Sequence, residues 1–272
     1  MVNPQNDDEW RLARLDRLGL KEDPFKLSAD PRYLYLGPEH LAVYRQAQSV
    51  ILRRRGLALI TGDMGMGKSS LARRLYDVYA SDEGMVVYYS HTSAFKSAMD
   101  AARQISGFFG IAPQRSFQRQ MENLEQAMAL NFTAGQNVVV LLDDAQLMES
   151  EALEVIHRMY NFDYDSKVVQ ILAFGQSEMI PLFETNKAVN ARVFVRLVLP
   201  PLTLASALQM VLFRLRVAGR NEPLIDDDAF ELLYEKSKGV PREIIRFCAL
   251  AIDLLLQSDE TVINLNIVKE VV

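Results

Sequence analysis

The sequence predicts an α/β fold, a parallel five-stranded sheet with helices on both faces followed by a small all-helical domain. Three observations predict it. Five short runs of Val, Ile, Leu and Tyr alternate with helical spacings between about residues 40 and 200, as strands buried on both faces of a parallel sheet do. The first run passes directly into a glycine-rich loop and a helical pattern. After Pro200-Pro201 the strand signal stops and four amphipathic helical patterns follow.

Residues 1 to about 25 are polar and end at Asp23-Pro24, which reads as an arm, and FKLSADPRYLYLGPEH after it reads as an ordered loop. From His40 to Arg55 apolar residues recur at helical spacing until Gly56, and LALIT is a buried strand. A helix is expected over 68–80, then strand MVVYYS, helices across 95–134, strand VVVLLD and a helix from about Glu149. Strand VVQILAF, a short helix over 179–183 and strand VFVRLVL complete the sheet. Two consecutive prolines remove two ladder donors and close this core. Helices are expected over 204–218, 227–238, 241–257 and 262–271, which gives an arm (1–24), an α/β domain (25–201) and a helical domain (202–272).

The 272 residues carry 30 Lys and Arg against 35 Asp and Glu, with 49% hydrophobic and 24% charged residues. That usage excludes disorder, collagen and coiled coil. The net charge of −5 lacks the basic footprint of a dedicated nucleic-acid binder, so local patterns must decide. No apolar run spans a bilayer, and MVNPQNDDEW resembles neither a secretory signal nor a transit peptide, so a cytoplasmic protein away from membranes is expected. The single Cys248 fits a core position in a reducing compartment, and His40, His91 and His157 lack metal-ligand spacing.

Gly62-Asp63-Met64-Gly65-Met66-Gly67-Lys68-Ser69 matches G-x-x-x-x-G-K-[ST] where a strand meets a helix, with Ser70 next. Glycines let successive N–H groups face a phosphate, Lys68 neutralises β/γ oxygens and Ser69 reaches Mg²⁺. The strand VVVLLD sets Asp143 and Asp144 at the carboxyl edge of the sheet, where ligands bind in such folds. Asp143 is the expected Mg²⁺ partner and Asp144 the group that orients or deprotonates the attacking water. The cofactors expected are ATP and Mg²⁺.

The phosphate loop, the run LLDDAQ and Gly239-Val240-Pro241-Arg242 resemble an AAA+ ATPase. More narrowly, DPFKLSADPRYLYLGPEH, LLDDAQ, FGQSE, Ala191-Arg192-Val193, LPPLTLASALQMVLFRLRVAG and GVPREI are similar to ExeA/TnsC-type ATPases, a group of secretion-pathway ATPases and transposon target-selection (TnsC/TniB) ATPases. The resemblance implies a P-loop NTPase with a helical lid. It implies that Gln176 is the sensor 1 residue, that Arg192 or its substitute Arg196 is an arginine finger reaching a neighbouring subunit's ATP, and that Arg242 is sensor 2. It further implies that Tyr33, Leu34 and Tyr35 pack on adenine. The second carboxylate in this group is usually Glu, and Asp144 is one methylene shorter, from which slow hydrolysis is expected.

The resemblance also bears on partners. In initiator-like rings the segment holding Lys96, Arg103, Arg115 and Arg119 lines the pore and tracks the DNA backbone; a solvated helical face is the alternative reading of the same cations. The reading favoured from sequence is a homo-oligomer, ring or filament, that assembles with ATP on duplex DNA and marks a target for transposase and target-selector proteins. The alternatives are an ExeA-like secretion or envelope-assembly ATPase and a nucleotide-switched adaptor that binds proteins only. ExeA-type chains normally continue into a membrane helix and a peptidoglycan-binding module, and the expectation from this chain's end shortly after the lid is the transposition type.

Overall fold

The computed structural model describes residues 4–26, 30–163 and 166–272, with side chains from Trp10 onward. Residues 1–3 of the expected arm, 27–29 of the loop after Pro24 and 164–165 lie outside the described residues. In chain order the elements are α1 (Pro4–Arg17), α2 (Pro38–Leu52), β1 (Leu57–Thr61), α3 (Lys68–Tyr79), β2 (Met85–Ser90), α4 (Ala98–Phe108), α5 (Phe117–Thr133) and β3 (Asn137–Leu142). There follow α6 (Leu153–Tyr160), β4 (Val169–Gly175), α7 (Met179–Thr185), α8 (Lys187–Asn190), β5 (Val193–Val198), α9 (Leu204–Val217), α10 (Asp227–Ser237), α11 (Pro241–Gln257) and α12 (Leu265–Val271). Contacts group Ala42–Met64 with Lys68–Leu199, a sheet unit, and Met1–Leu41 with Gly65–Gly67 and Pro200–Val272, a helical unit.

In the sheet unit the strands lie in the order β2-β3-β4-β1-β5, and every pairing is parallel. All residues of β1, β3 and β4 are buried irrespective of parity, which requires helices on both faces. One face is filled by Leu57, Leu59, Val140 and Ile171 against Ile105, Leu124 and Met159 of α4, α5 and α6. The central strands are apolar throughout because neither face meets water. β5 departs from this pattern: Phe194, Arg196 and Val198 are exposed along one face of an edge strand, a face that the sequence marks only by Arg196.

Several boundaries differ from expectation for local reasons. α2 ends at Leu52, not Arg55, because Arg54 adopts φ +50° and Gly56 φ +85°. The helices expected across 95–134 are α4 and α5, the second capped by Ser116, whose hydroxyl accepts the Arg119 N–H. α6 begins at Leu153, not near Glu149, because two 3₁₀ turns, Ala145–Leu147 and Ser150–Ala152, come first. α12 begins at Leu265, not 262, where the Asn264 side chain accepts the N–H groups of Asn266 and Ile267.

The helical unit has its own core, in which Val211 and Leu215 of α9 join Phe230 and Leu233 of α10 and Ile252 and Leu255 of α11. The expected polar arm is helical over Pro4–Arg17, and Leu15, with Leu18 and Leu20 just beyond the helix, enters this core beside Phe25. The low average hydropathy of the segment conceals these three leucines, and Arg11 ties the helix down through Asp23 (2.7 Å) and Asp253 (2.5 Å). Arg214 of α9 is buried and donates to the carbonyls of Pro24 (2.7 Å), Lys26 (2.9 Å) and Tyr33 (3.3 Å). Burial lowers its pKa, and those three carbonyls satisfy a guanidinium that would otherwise be stranded. Among the described residues no helix is long and apolar enough to cross a membrane.

Candidate nucleotide-binding site

The register of the sheet brings the expected phosphate-site residues to one edge. Thr61 of β1 pairs with Gly175 of β4, and Leu142 of β3 pairs with Ala173 of β4. Gly62, Asp143, Asp144 and Gln176 therefore leave three adjacent strands at their carboxyl ends, with neighbouring strands about 4.8 Å apart. Ligands bind at this edge in open α/β sheets.

Between β1 and α3 the loop turns through Gly65 at φ +83° and Gly67 at φ +96°, a region L side chains rarely adopt. Gly65 also lies close against the start of α11: its carbonyl accepts the Arg242 N–H at 3.3 Å, and a Cβ at Gly65 would sit 2.9 Å from Arg242 Cβ and 3.0 Å from Val240 Cγ1. The Arg242 side chain is exposed. Lys68, only 8% exposed, donates Nζ hydrogen bonds to the carbonyls of Gly62 (2.7 Å) and Asp63 (2.9 Å). Burial lowers the Lys68 pKa, and Asp143, Asp144, Asp63 and Glu178 oppose that shift through charge.

Asp143, 2% exposed, is pushed in the other direction: burial raises its pKa, against a hydrogen bond from Ser69 and another from the Asp144 N–H to Oδ1 at 3.0 Å. Tyr89 donates its hydroxyl to Asp143 Oδ2 at 3.3 Å, and burial beside that carboxylate raises the tyrosine's own pKa, which keeps it a donor. Asp144 adopts the left-handed conformation, φ +50° and ψ +40°, where Asp is better tolerated than most residues. Its Oδ1 accepts Gln146 Nε2 at 3.1 Å, and the Gln146 Oε1 accepts the Gln176 N–H at 3.1 Å.

The chemistry of these donors fits nucleotide and metal. A buried ammonium among backbone carbonyls, beside a loop of two positive-φ glycines and a helix N-terminus, suits a phosphate chain. The adjoining Ser69 hydroxyl and Asp143 carboxylate are the hard oxygen ligands that Mg²⁺ takes.

Two expected residues of the sheet unit lie away from this edge. Arg192 precedes β5 at the opposite, amino edge of the sheet: Leu57 at the start of β1 pairs with Val193, and the four steps to Thr61 span about 13 Å. Its guanidinium donates to the Ala188 carbonyl at 2.7 Å and lies 5.6 Å from the centroid of the Tyr160 ring. Arg196, beside Leu59 in register, donates to Asn190 Oδ1 at 2.5 Å. Tyr33 is buried in the helical unit with Arg214 4.7 Å over its ring, Leu34 is half-buried, and Tyr35 packs on Phe213 at 5.8 Å. Lys96, Arg103, Arg115 and Arg119 are all exposed, and Arg103 donates to the Gln114 carbonyl at 2.7 Å. Cys248 is fully buried, with its thiol pKa raised by that burial.

The sequence does not single out Tyr89, Gln146 or Gly175. Tyr89 carries one usable signal, its place near the carboxyl end of β2. Gln146 and Gly175 fall inside the runs LLDDAQ and FGQSE, yet nothing there marks their roles, which arise from one side chain reaching between β3 and β4.

The profile of the AAA domain family matches residues 51–183. General secretion pathway protein A of Aeromonas hydrophila is 27% identical over 237 residues, 86% of this chain and 43% of that protein. An uncharacterized HTH-type transcriptional regulator of Methanocaldococcus jannaschii is 22% identical over 190 residues, 67% of this chain and 46% of that one. The chain thus spans less than half the length of either curated relative. Among solved structures, the Aeropyrum pernix Orc1 protein in complex with DNA aligns with a TM-score of 0.64 at 18% identity, over 87% of this chain and 65% of that one. Cdc6p of Pyrobaculum aerophilum aligns at 0.63 and 14% identity (88% and 67%), and the Thermotoga maritima RuvB Holliday junction branch migration motor at 0.54 and 15% (88% and 72%). With its β2-β3-β4-β1-β5 sheet and phosphate loop, the chain has the P-loop AAA+ fold of these structures, and its residues 51–183 are similar to the AAA domain family.

Proposed function

We propose that this chain is a Mg²⁺-dependent ATPase that works as an oligomer and assembles with ATP on duplex DNA, in the service of transposition target selection. The observation that carries the nucleotide part is the meeting of Lys68, Ser69, Asp143, Asp144 and Gln176 at one sheet edge, next to a positive-φ glycine loop. Gly62–Ser70 and Lys68 bind the β- and γ-phosphates. Ser69 and Asp143 would hold Mg²⁺, which neutralises charge developing on the phosphate oxygens. Asp144 orients the attacking water and accepts its proton, and Gln176 steadies the water or the γ-phosphate. Arg242 would serve as sensor 2, and Tyr33, Leu34 and Tyr35 would flank the adenine.

The position of Arg192 supports action in trans, since it sits at the sheet edge opposite its own phosphate loop. ATP bound by one subunit and contacted by Arg192 of the next couples assembly to nucleotide by linkage, and hydrolysis removes the γ-phosphate contacts. Exposed Lys96, Arg103, Arg115 and Arg119 supply sequence-independent phosphate contacts to DNA. Turnover and sedimentation with ATP, for wild type and Lys68→Ala, test the core of this reading: loss of both in the variant is expected, and assembly that survives it overturns ATP as the switch.

A second reading is favoured by the similarity to General secretion pathway protein A, which covers 86% of this chain. There the same ATPase would drive a secretion or envelope-assembly step, or act as a nucleotide-switched protein adaptor, without DNA.

A further inference from the structure

We propose that Gln146 is a positioning residue for ATP hydrolysis, its one amide clamping the water-activating carboxylate of Asp144 to the backbone of Gln176. The inference rests on the ATPase reading above. An amide presents a donor and an acceptor at opposite corners of one rigid plane. Here Nε2 donates to Asp144 Oδ1 at 3.1 Å, while Oε1 accepts the Gln176 N–H at 3.1 Å. The two groups come from different strands, β3 and β4, and Gln146 is what links their ends.

Three further features show a built arrangement. Gln146 stands in a 3₁₀ turn, Ala145–Leu147, which starts from the left-handed Asp144. That backbone aims the side chain of Gln146 towards β4 two residues later. Gly175 leaves the space the amide occupies, since a Cβ there would lie 2.8 Å from Gln146 Oε1 and 2.9 Å from Met179 Sδ. Gln146 itself is half-buried, so water does not readily replace both bonds.

The consequence is kinetic. A carboxylate freed from the amide samples rotamers that do not point at the water, and a 1 Å misplacement of a catalytic group can cost about 10²-fold in rate. Phosphate binding by Lys68 and the glycine loop does not depend on this amide. Loss of Gln146 therefore lowers kcat and leaves KM close to its original value.

The test compares steady-state ATP turnover of wild type, Gln146→Leu, Gln146→Glu and Gly175→Ala, with thermal melting of each. Gln146→Glu is isosteric and keeps an acceptor for the Gln176 N–H, but it loses the donor to Asp144. Gly175→Ala displaces the amide without altering it. The expected result is a fall in kcat of at least about tenfold in all three, with KM changed less than about threefold. Equal kcat in a folded Gln146→Glu overturns the proposal and leaves the ATPase reading intact. A proportionate rise in KM with unchanged kcat also overturns it. No turnover by wild type overturns both.

Discussion

Lys68 and Asp143 are driven towards neutrality from opposite sides: burial lowers the pKa of the ammonium and raises that of the carboxylate. The Asp143 charge partly offsets the shift at Lys68, yet both groups are nearly removed from solvent at the end of a parallel sheet. The site holds charges that weaken the ligand-free fold and that phosphate and a divalent cation would compensate.

For Asp143 the sign is set by a folded-state pKa above the ordinary carboxylate value. Between those two values the folded chain binds more protons than the unfolded one, so this carboxylate makes stability fall as pH rises through the window. Asp143→Asn removes the penalty. Without nucleotide, Tm at neutral pH is expected to rise by about 2–4 °C, the shift produced by about 1 kcal/mol in a chain of this size. ATP turnover is expected to vanish. Calorimetry from about pH 4 to pH 8 checks it, and a variant melting below wild type throughout would refute the assignment of Asp143 as a strained buried acid.

Asp144 has a shorter reach than the Glu usual in ExeA/TnsC-type ATPases. Asp144→Glu is expected to speed turnover by about tenfold, since a better-placed base gains orders of magnitude at most. It is also expected to cost about 1 kcal/mol of stability, because Glu tolerates φ +50° less well than Asp. Initial rates with melting curves measure both, and a slower enzyme would mean that Asp144 is not limited by reach.

Gly65 holds φ +83° with the start of α11 against it. Gly65→Ala combines a disfavoured backbone with contacts of 2.9 and 3.0 Å, and a loss of about 1–3 kcal/mol in stability is expected. Nucleotide affinity should fall at least tenfold. Denaturant unfolding and titration with a fluorescent ATP analogue read the two effects separately.

The glycine loop, the two acids and all five strands are legible because each is local: a motif at a strand–helix junction, or an apolar run. The α1 helix is not, since its polar residues outnumber the leucines that anchor the segment. The exposure of Phe194 and Val198 is marked only by Arg196 between them, since the rest of the edge strand reads like a central one. Gln146 escapes for a deeper reason. Its partners, Asp144 and Gln176, are brought within reach only by the pairing of β3 with β4, which no spacing in the sequence records.

Arg192 is expected to act on a neighbouring subunit. Arg192→Ala should bind ATP normally while turnover falls by about 10³-fold, the scale of an arginine finger. Mixing it with Lys68→Ala should restore part of the activity, because one subunit then offers an intact phosphate loop and the other an intact Arg192. No recovery on mixing, with assembly demonstrated, would place the finger elsewhere, and Arg196→Ala is the next variant to assay.

The most direct test of nucleotide-controlled assembly on DNA is fluorescence anisotropy with a labelled random duplex. It is run with ATP, a non-hydrolysable analogue, ADP or no nucleotide, across a salt series. Binding is expected only with ATP or its analogue, to weaken steeply with salt, and to fall when Lys96, Arg103, Arg115 and Arg119 are replaced by Ala. Binding in every nucleotide state, or in none, would contradict the account, and in the second case the search turns to a protein partner of the secretion type.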